Sequence, residues 1–191
     1  MNQGAKRSAF AERGHDLYET PLCAISTLMR IESLPHRIWE PAAGRGALSR
    51  ELKKAGHEVI ASDLMAYEGA DVDITPNVNF FDEITIQADT VVTNPPFKDA
   101  DRFIRLGLRR GVKMIVLLRL MAIEGVHRSD IIDHHLVRIW AGRERLPMMH
   151  RDNWAGKRIG NSGAPFAWFI FEPAGRPADQ PIELQRMSWR D

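Results

Sequence analysis

Between residues 37 and 63 the chain reads as a strand, a glycine turn, a helix and a second strand, an order that few folds accept. Arg37-Ile38-Trp39-Glu40 is the first predicted strand, and Pro41 to Ser49 is the turn into a helix carrying Leu48 and Leu52 and ended by Gly56. Glu58-Val59-Ile60-Ala61-Ser62 follows and closes in Asp63. Strands joined through a helix run parallel, and parallel sheets are covered on both faces. Apolar runs at 88–93 and 112–120 extend the sheet, separated by a helix with Phe103, Ile104, Leu106 and Leu108 inward. Runs at 136–140 and 164–171 read as an antiparallel pair at one edge. The prediction is one α/β domain of three layers, Rossmann-like, with a mostly parallel twisted sheet and an antiparallel edge strand.

That domain is expected over residues 15–173, behind a polar, mobile arm at 1–14 and ahead of an extended tail at 174–191 that carries Pro177 and Pro181. The single cysteine, Cys23, excludes an internal disulfide and a thiolate metal site, which suits a reducing cytoplasm. The longest apolar run, residues 114–118, is broken by Arg119 and is too short to cross a bilayer. No signal-peptide core opens the chain, so a cytoplasmic location is expected. His127, His134, His135 and His150 lack the spacing of metal ligands, and no metal is expected. The net charge of +1 hides an asymmetry. Residues 1–101 hold 10 Lys/Arg against 16 Asp/Glu, and residues 102–191 hold 16 against 9. A basic half suits a polyanionic partner.

The chemistry is read from Asn94-Pro95-Pro96-Phe97, which follows Ala88-Asp89-Thr90-Val91-Val92-Thr93 and so stands at a strand's carboxyl end, where open α/β sheets bind ligands. Two prolines make a stiff turn without N–H donors. The Asn94 oxygen and the Pro95 carbonyl can then accept both protons of an exocyclic amine, and Phe97 offers a ring to stack on. Asn-Pro-Pro-Phe in this setting resembles the catalytic motif of class I S-adenosylmethionine-dependent amino-methyltransferases, above all the N6-adenine enzymes of nucleic acid. Met121-Ala122-Ile123-Glu124-Gly125, with Arg128 after it, resembles a segment of the small prophage-type adenine DNA methyltransferases.

The resemblance implies S-adenosylmethionine as cofactor and assigns further residues. Glu40-Pro41-Ala42-Ala43-Gly44, with Gly46 beyond, resembles the cofactor motif, whose glycines let the backbone approach a ligand. A carboxylate at that strand end would repel a dinucleotide's pyrophosphate but suits a sulfonium and an ammonium. Asp63 stands where this architecture places an acid on ribose hydroxyls. Tyr18-Glu19-Thr20-Pro21 resembles the segment that closes over the methionine end, with Tyr18 and Thr20 as contacts; Thr20 can also cap the following helix and Pro21 can open it. For the cofactor's adenine the family carries an acid before Phe. Here the text is Asn79-Phe80-Phe81-Asp82, so either Asn79 replaces the acid or Asp82 supplies it. Phe166 or Trp168 is a candidate second wall for the substrate base, and the basic, glycine-rich loop 142–163, with Trp154, a candidate nucleic-acid contact.

The substrate is expected to be nucleic acid, DNA before RNA. The same motif also serves RNA-base and protein-glutamine methylation. A silent cofactor-binding subunit and a nicotinamide oxidoreductase are the other classes the sequence leaves open. Only a short tail follows residue 171, so a specificity partner or a homodimer is a further expectation.

Overall fold

The structure, a computed structural model, describes residues 18–71, 73–83, 87–147 and 162–190. The expected arm at 1–14 and residues 148–161 of the basic loop, with Trp154, lie outside these. In chain order the helices are α1 (Leu22–Ile31), α2 (Ala47–Lys54), α3 (Ala100–Arg109) and α4 (Ser129–His135). The strands are β1 (Arg37–Glu40), β2 (Glu58–Ser62), β3 (Ile74–Thr75), β4 (Thr90–Thr93), β5 (Lys113–Arg119), β6 (Leu136–Gly142), β7 (Phe166–Phe171) and β8 (Glu183–Met187).

These strands form one sheet in the order β3-β2-β1-β4-β5-β7-β6-β8. β5 explains the layering. Met114, Val116 and Leu118 pack into one cluster with Phe103, Ile104 and Leu108 of α3 and Ile131 and Ile132 of α4. Ile115 and Leu117 point the other way, into a cluster with Ile25 and Leu28 of α1 and Leu48 and Leu52 of α2. Successive strand residues face opposite sides, so a continuous apolar run needs helices on both. The three-layer α/β fold is as expected.

Chain order reverses between β1 and β4, which run parallel to each other. A crevice opens at the carboxyl ends of strands at such a reversal. Trp39 fixes the local geometry by donating its indole N–H to Ser62 Oγ at 2.9 Å, tying β1 to β2.

The antiparallel pair β6 and β7 stands toward one edge of a mostly parallel sheet, as expected; β7 pairs with β5 on one side and β6 on the other, and β8 runs beyond, parallel to β6. All six residues of β7 are buried, a pattern an edge cannot accommodate, whereas four of the five in β8 are exposed. Two other expectations are corrected, the tail and the cap of α1. The tail is structural as well. Met187 and Trp189 are buried, and the Trp189 indole donates to the Glu144 carbonyl at 2.9 Å. At α1 the N-cap is Pro21, whose carbonyl accepts from Ala24 N–H at 2.9 Å; Thr20 makes no cap.

Candidate functional site

A cleft of about 470 Å³ lies over the β1/β4 reversal. Clefts of about 300–1,000 Å³ take small-molecule ligands. Its wall combines two kinds of residue. Leu64, Met65, Val78, Phe80, Phe81 and Phe103, from the loops after β2 and β3 and from α3, are apolar. Tyr18, Glu19, Thr20, Glu40 and Asn94, from the segment before α1 and the ends of β1 and β4, are polar. Such a cleft offers a ligand both apolar walls and polar partners.

Glu40 is the last residue of β1 and is only 2% exposed. Ser49 Oγ, on α2, donates to its carboxyl. Burial outweighs that bond and pushes the Glu40 carboxyl up from 4.5 to about 8, with neighbouring Asp63 adding to the rise. Burial thus favours the neutral form of this acid, and a cation beside it would favour the ionised one. Asp63, one residue beyond β2, accepts the Gly44 N–H on Oδ2 at 2.8 Å and the Met65 N–H on Oδ1 at 2.9 Å. The carboxylate is thereby locked across the glycine turn on the cleft wall.

Pro41, Ala42 and Gly44 also line the cleft, but Gly46 does not. Gly46 instead sits at φ 86°, and a Cβ there would stand 2.9 Å from Ile74 Cδ1. Its smallness serves packing of the turn rather than ligand approach. Asn79 and Asp82 also separate. Asn79 lines the cleft, while Asp82 is exposed outside it and accepts the Asn79 amide at 2.8 Å. Arg110 donates to the Phe80 and Asp82 carbonyls and so holds this turn in place.

Asn94 lies on the wall one residue past β4, and its Nδ2 donates to the Tyr18 carbonyl at 3.1 Å. A carbonyl only accepts, so the amide nitrogen must take that side and Oδ1 becomes the acceptor end. Pro96 lines the cleft and its carbonyl accepts from Asp99 at 2.9 Å, while Pro95 is buried behind the wall. The Phe97 ring has several neighbours. Tyr18 stacks on it at 5.7 Å, Phe166 tilts against it at 5.9 Å, and the Arg119 guanidinium lies over it at 4.9 Å.

Phe97, Tyr18 and Arg119 also line a second cleft of about 300 Å³ with Ser162, Gly163, Ala164 and Phe166. The two clefts share a wall. Trp168 is in neither: it is fully buried on the α1 face and donates its indole N–H to the Ala24 carbonyl at 3.1 Å. Alternation along β7 turns Phe166 and Trp168 to the same face, but Trp168 lies deeper along the strand, under α1. Sequence reading missed Ser49, Phe103 and Arg119. Arg119 had a signal, as the charge that breaks an apolar strand at its carboxyl end.

No family model matches the sequence, and no curated protein does. The fold is similar to that of a candidate class I S-adenosylmethionine-dependent methyltransferase from Listeria monocytogenes, at 17% identity over 88% of this chain and 64% of that one, with a TM-score of 0.54. It is similar to a candidate RNA methyltransferase from Pyrococcus horikoshii, at 17% identity over 81% and 86%, with a TM-score of 0.57. It is also similar to a dimethyladenosine transferase from Plasmodium falciparum, at 12% identity over 84% and 63%, with a TM-score of 0.51. The chain spans less than two thirds of the Listeria and Plasmodium proteins. At these identities the likeness establishes the fold, the Rossmann-like one of class I methyltransferases.

Proposed function

We propose that this chain is an S-adenosylmethionine-dependent methyltransferase acting on the exocyclic N6 amine of adenine in nucleic acid, with DNA favoured. The observation that carries the reading is the Asn94 amide, held on the cleft wall with its nitrogen committed to the Tyr18 carbonyl. That orientation makes the side chain an acceptor for an amine.

The residues present fit the cofactor. Glu40, buried and poised to ionise beside a cation, suits the amino-acid end; Asp63, locked by Gly44 and Met65, suits the ribose hydroxyls. Tyr18 and Thr20 line the same cleft, as do Phe80, Phe81, Leu64 and Asn79, which offer walls for a heterocycle. When bound, S-adenosylmethionine would supply an electrophilic sulfonium methyl for the amine, whose surplus proton would pass to water.

The chain's own part is to prepare the amine. Conjugation with the purine ring spreads the nitrogen lone pair. Asn94 Oδ1 accepts an amine N–H and draws the nitrogen toward tetrahedral geometry, while Pro95, buried behind the cleft wall and not the second acceptor expected from the sequence, stiffens the turn that holds the amide. The base rests against Phe97 with Phe166 as the neighbouring wall; in a duplex it must first be flipped out of the stack. A fixed acceptor and a fixed ring supply positioning, the larger share of the rate.

The test is transfer of labelled methyl from S-adenosylmethionine to duplex DNA, single-stranded DNA and RNA, by wild type and Asn94→Ala. We expect transfer by the wild type, and from the variant a loss of at least about a hundredfold, typical of a removed transition-state hydrogen bond, with calorimetric cofactor binding retained. Equal transfer by the two would overturn the assignment of Asn94.

A further inference from the structure

The reading above assigns Phe97 to the substrate base, yet Arg119 already lies over that ring. Arg119 ends β5, and its backbone is fixed on both sides. It pairs in register with Phe166, and the next residue, Leu120, donates its N–H to the Pro165 carbonyl at 2.9 Å. The side chain itself is exposed. Arg37, Arg105, Arg128 and Arg138 are each held by a carboxylate, whereas Arg119 has no carboxylate partner among the described residues. It lines both clefts and so stands where they meet.

A planar guanidinium on an aromatic ring occupies the kind of surface a purine would use. Of the groups around Phe97, Tyr18 and Phe166 are partly or fully buried and Arg119 alone is long and exposed. It is the group that can give way. Once off the ring it remains tethered at the cleft mouth, where a fork of N–H donors matches the oxygens of a phosphate. We propose that Arg119 is a specificity-determining residue that selects a base carried on a phosphodiester backbone: it covers Phe97 until a base arrives, then exchanges the ring for the phosphate beside that base. The proposal rests on the methyltransferase reading for the base and adds the choice of polymer. A protein amide or a free nucleoside has no phosphate to offer and leaves the guanidinium on the ring.

The experiment is anisotropy of a labelled single-stranded oligonucleotide, one adenine in a thymine tract, over a range of salt. Wild type, Arg119→Ala and Arg119→Lys are compared, with and without one neutral methylphosphonate next to the adenine. Thermal midpoints serve as the folding control. We expect Arg119→Ala to weaken binding about tenfold and to lower the slope of log affinity against log salt by about 1, the loss of one phosphate contact. Arg119→Lys should keep the slope. The methylphosphonate should weaken the wild type and have no further effect on Arg119→Ala. Unchanged affinity and slope in Arg119→Ala would overturn the proposal, as would a methylphosphonate effect of the same size in the variant, or a wild type that binds no oligonucleotide. Binding is read without turnover, so absence of methyl transfer counts against the catalytic reading alone.

Discussion

Two side chains on the cleft wall, Glu40 and Asn94, each make a separate prediction. Burial raises the Glu40 carboxyl from 4.5 to about 8, so the folded protein holds a proton that the unfolded chain releases near 4.5. The folded state therefore loses stability as pH rises from about 4.5 to about 8, and this contribution is flat on either side. Glu40→Gln, which cannot ionise, should flatten that part of a thermal-midpoint profile; an unchanged slope would place the titration elsewhere. A cationic ligand favours the ionised acid. Calorimetry in buffers of different ionisation enthalpy should then show cofactor binding releasing a proton below pH 8, with affinity rising up to that pH. For Asn94, replacement by Asp sets oxygen against the Tyr18 carbonyl that Nδ2 now reaches at 3.1 Å. The lost hydrogen bond should cost about 1–3 kcal/mol in urea denaturation, and no loss would show that this contact does not hold the amide.

At the scale of elements, the glycine turn between β1 and α2 shows how two glycines with one spelling do different work. Gly44 gives its N–H to Asp63 on the cleft wall, while Gly46, at φ 86°, leaves room for Ile74. Gly46→Ala should therefore lower stability by about 1–2 kcal/mol through the left-handed backbone alone, with the crowding of Ile74 added. Lost cofactor affinity at unchanged stability would return Gly46 to the ligand. The strands most legible in the sequence were those whose burial is two-sided. β5 and β7 are unbroken apolar runs, and a run of that kind admits few alternatives. β8 was illegible because Glu-Leu-Gln-Arg-Met gives no alternation and four of its residues face solvent. That Glu40, Asp63 and Asn94 stand at strand ends around one cleft could be read, because each polar residue closes an apolar run. Asp82 and Trp168 could not be placed, since whether a side chain reaches a cleft depends on a turn or a strand depth that no local pattern encodes.

Across the whole molecule the sheet connects the site to the chain's far end. Glu32, at the end of α1, is 8% exposed and accepts from Arg138 at 2.9 Å and from the Trp140 indole at 3.0 Å, tying the helix after Tyr18 to β6. Trp189, beyond β8, closes the same face. Trp189→Ala should cost about 3–5 kcal/mol, the usual range for a buried tryptophan, measured by chemical denaturation. A cost below about 1 kcal/mol would make the segment after 173 the extended tail its prolines suggest. The excess of basic residues after 101 gives the molecule a charge asymmetry suited to a polyanion, and Arg119 lies in that half, at the cleft mouth. Methylation of an adenine amine held by Asn94 can be measured by incubating adenine-containing DNA and RNA with S-adenosylmethionine and the protein, then identifying the modified nucleoside by chromatography and mass. We expect N6-methyladenine from the wild type and none above background from Asn94→Ala. Methyl on another atom, or no modified nucleoside from a protein that binds the cofactor, would contradict this reading.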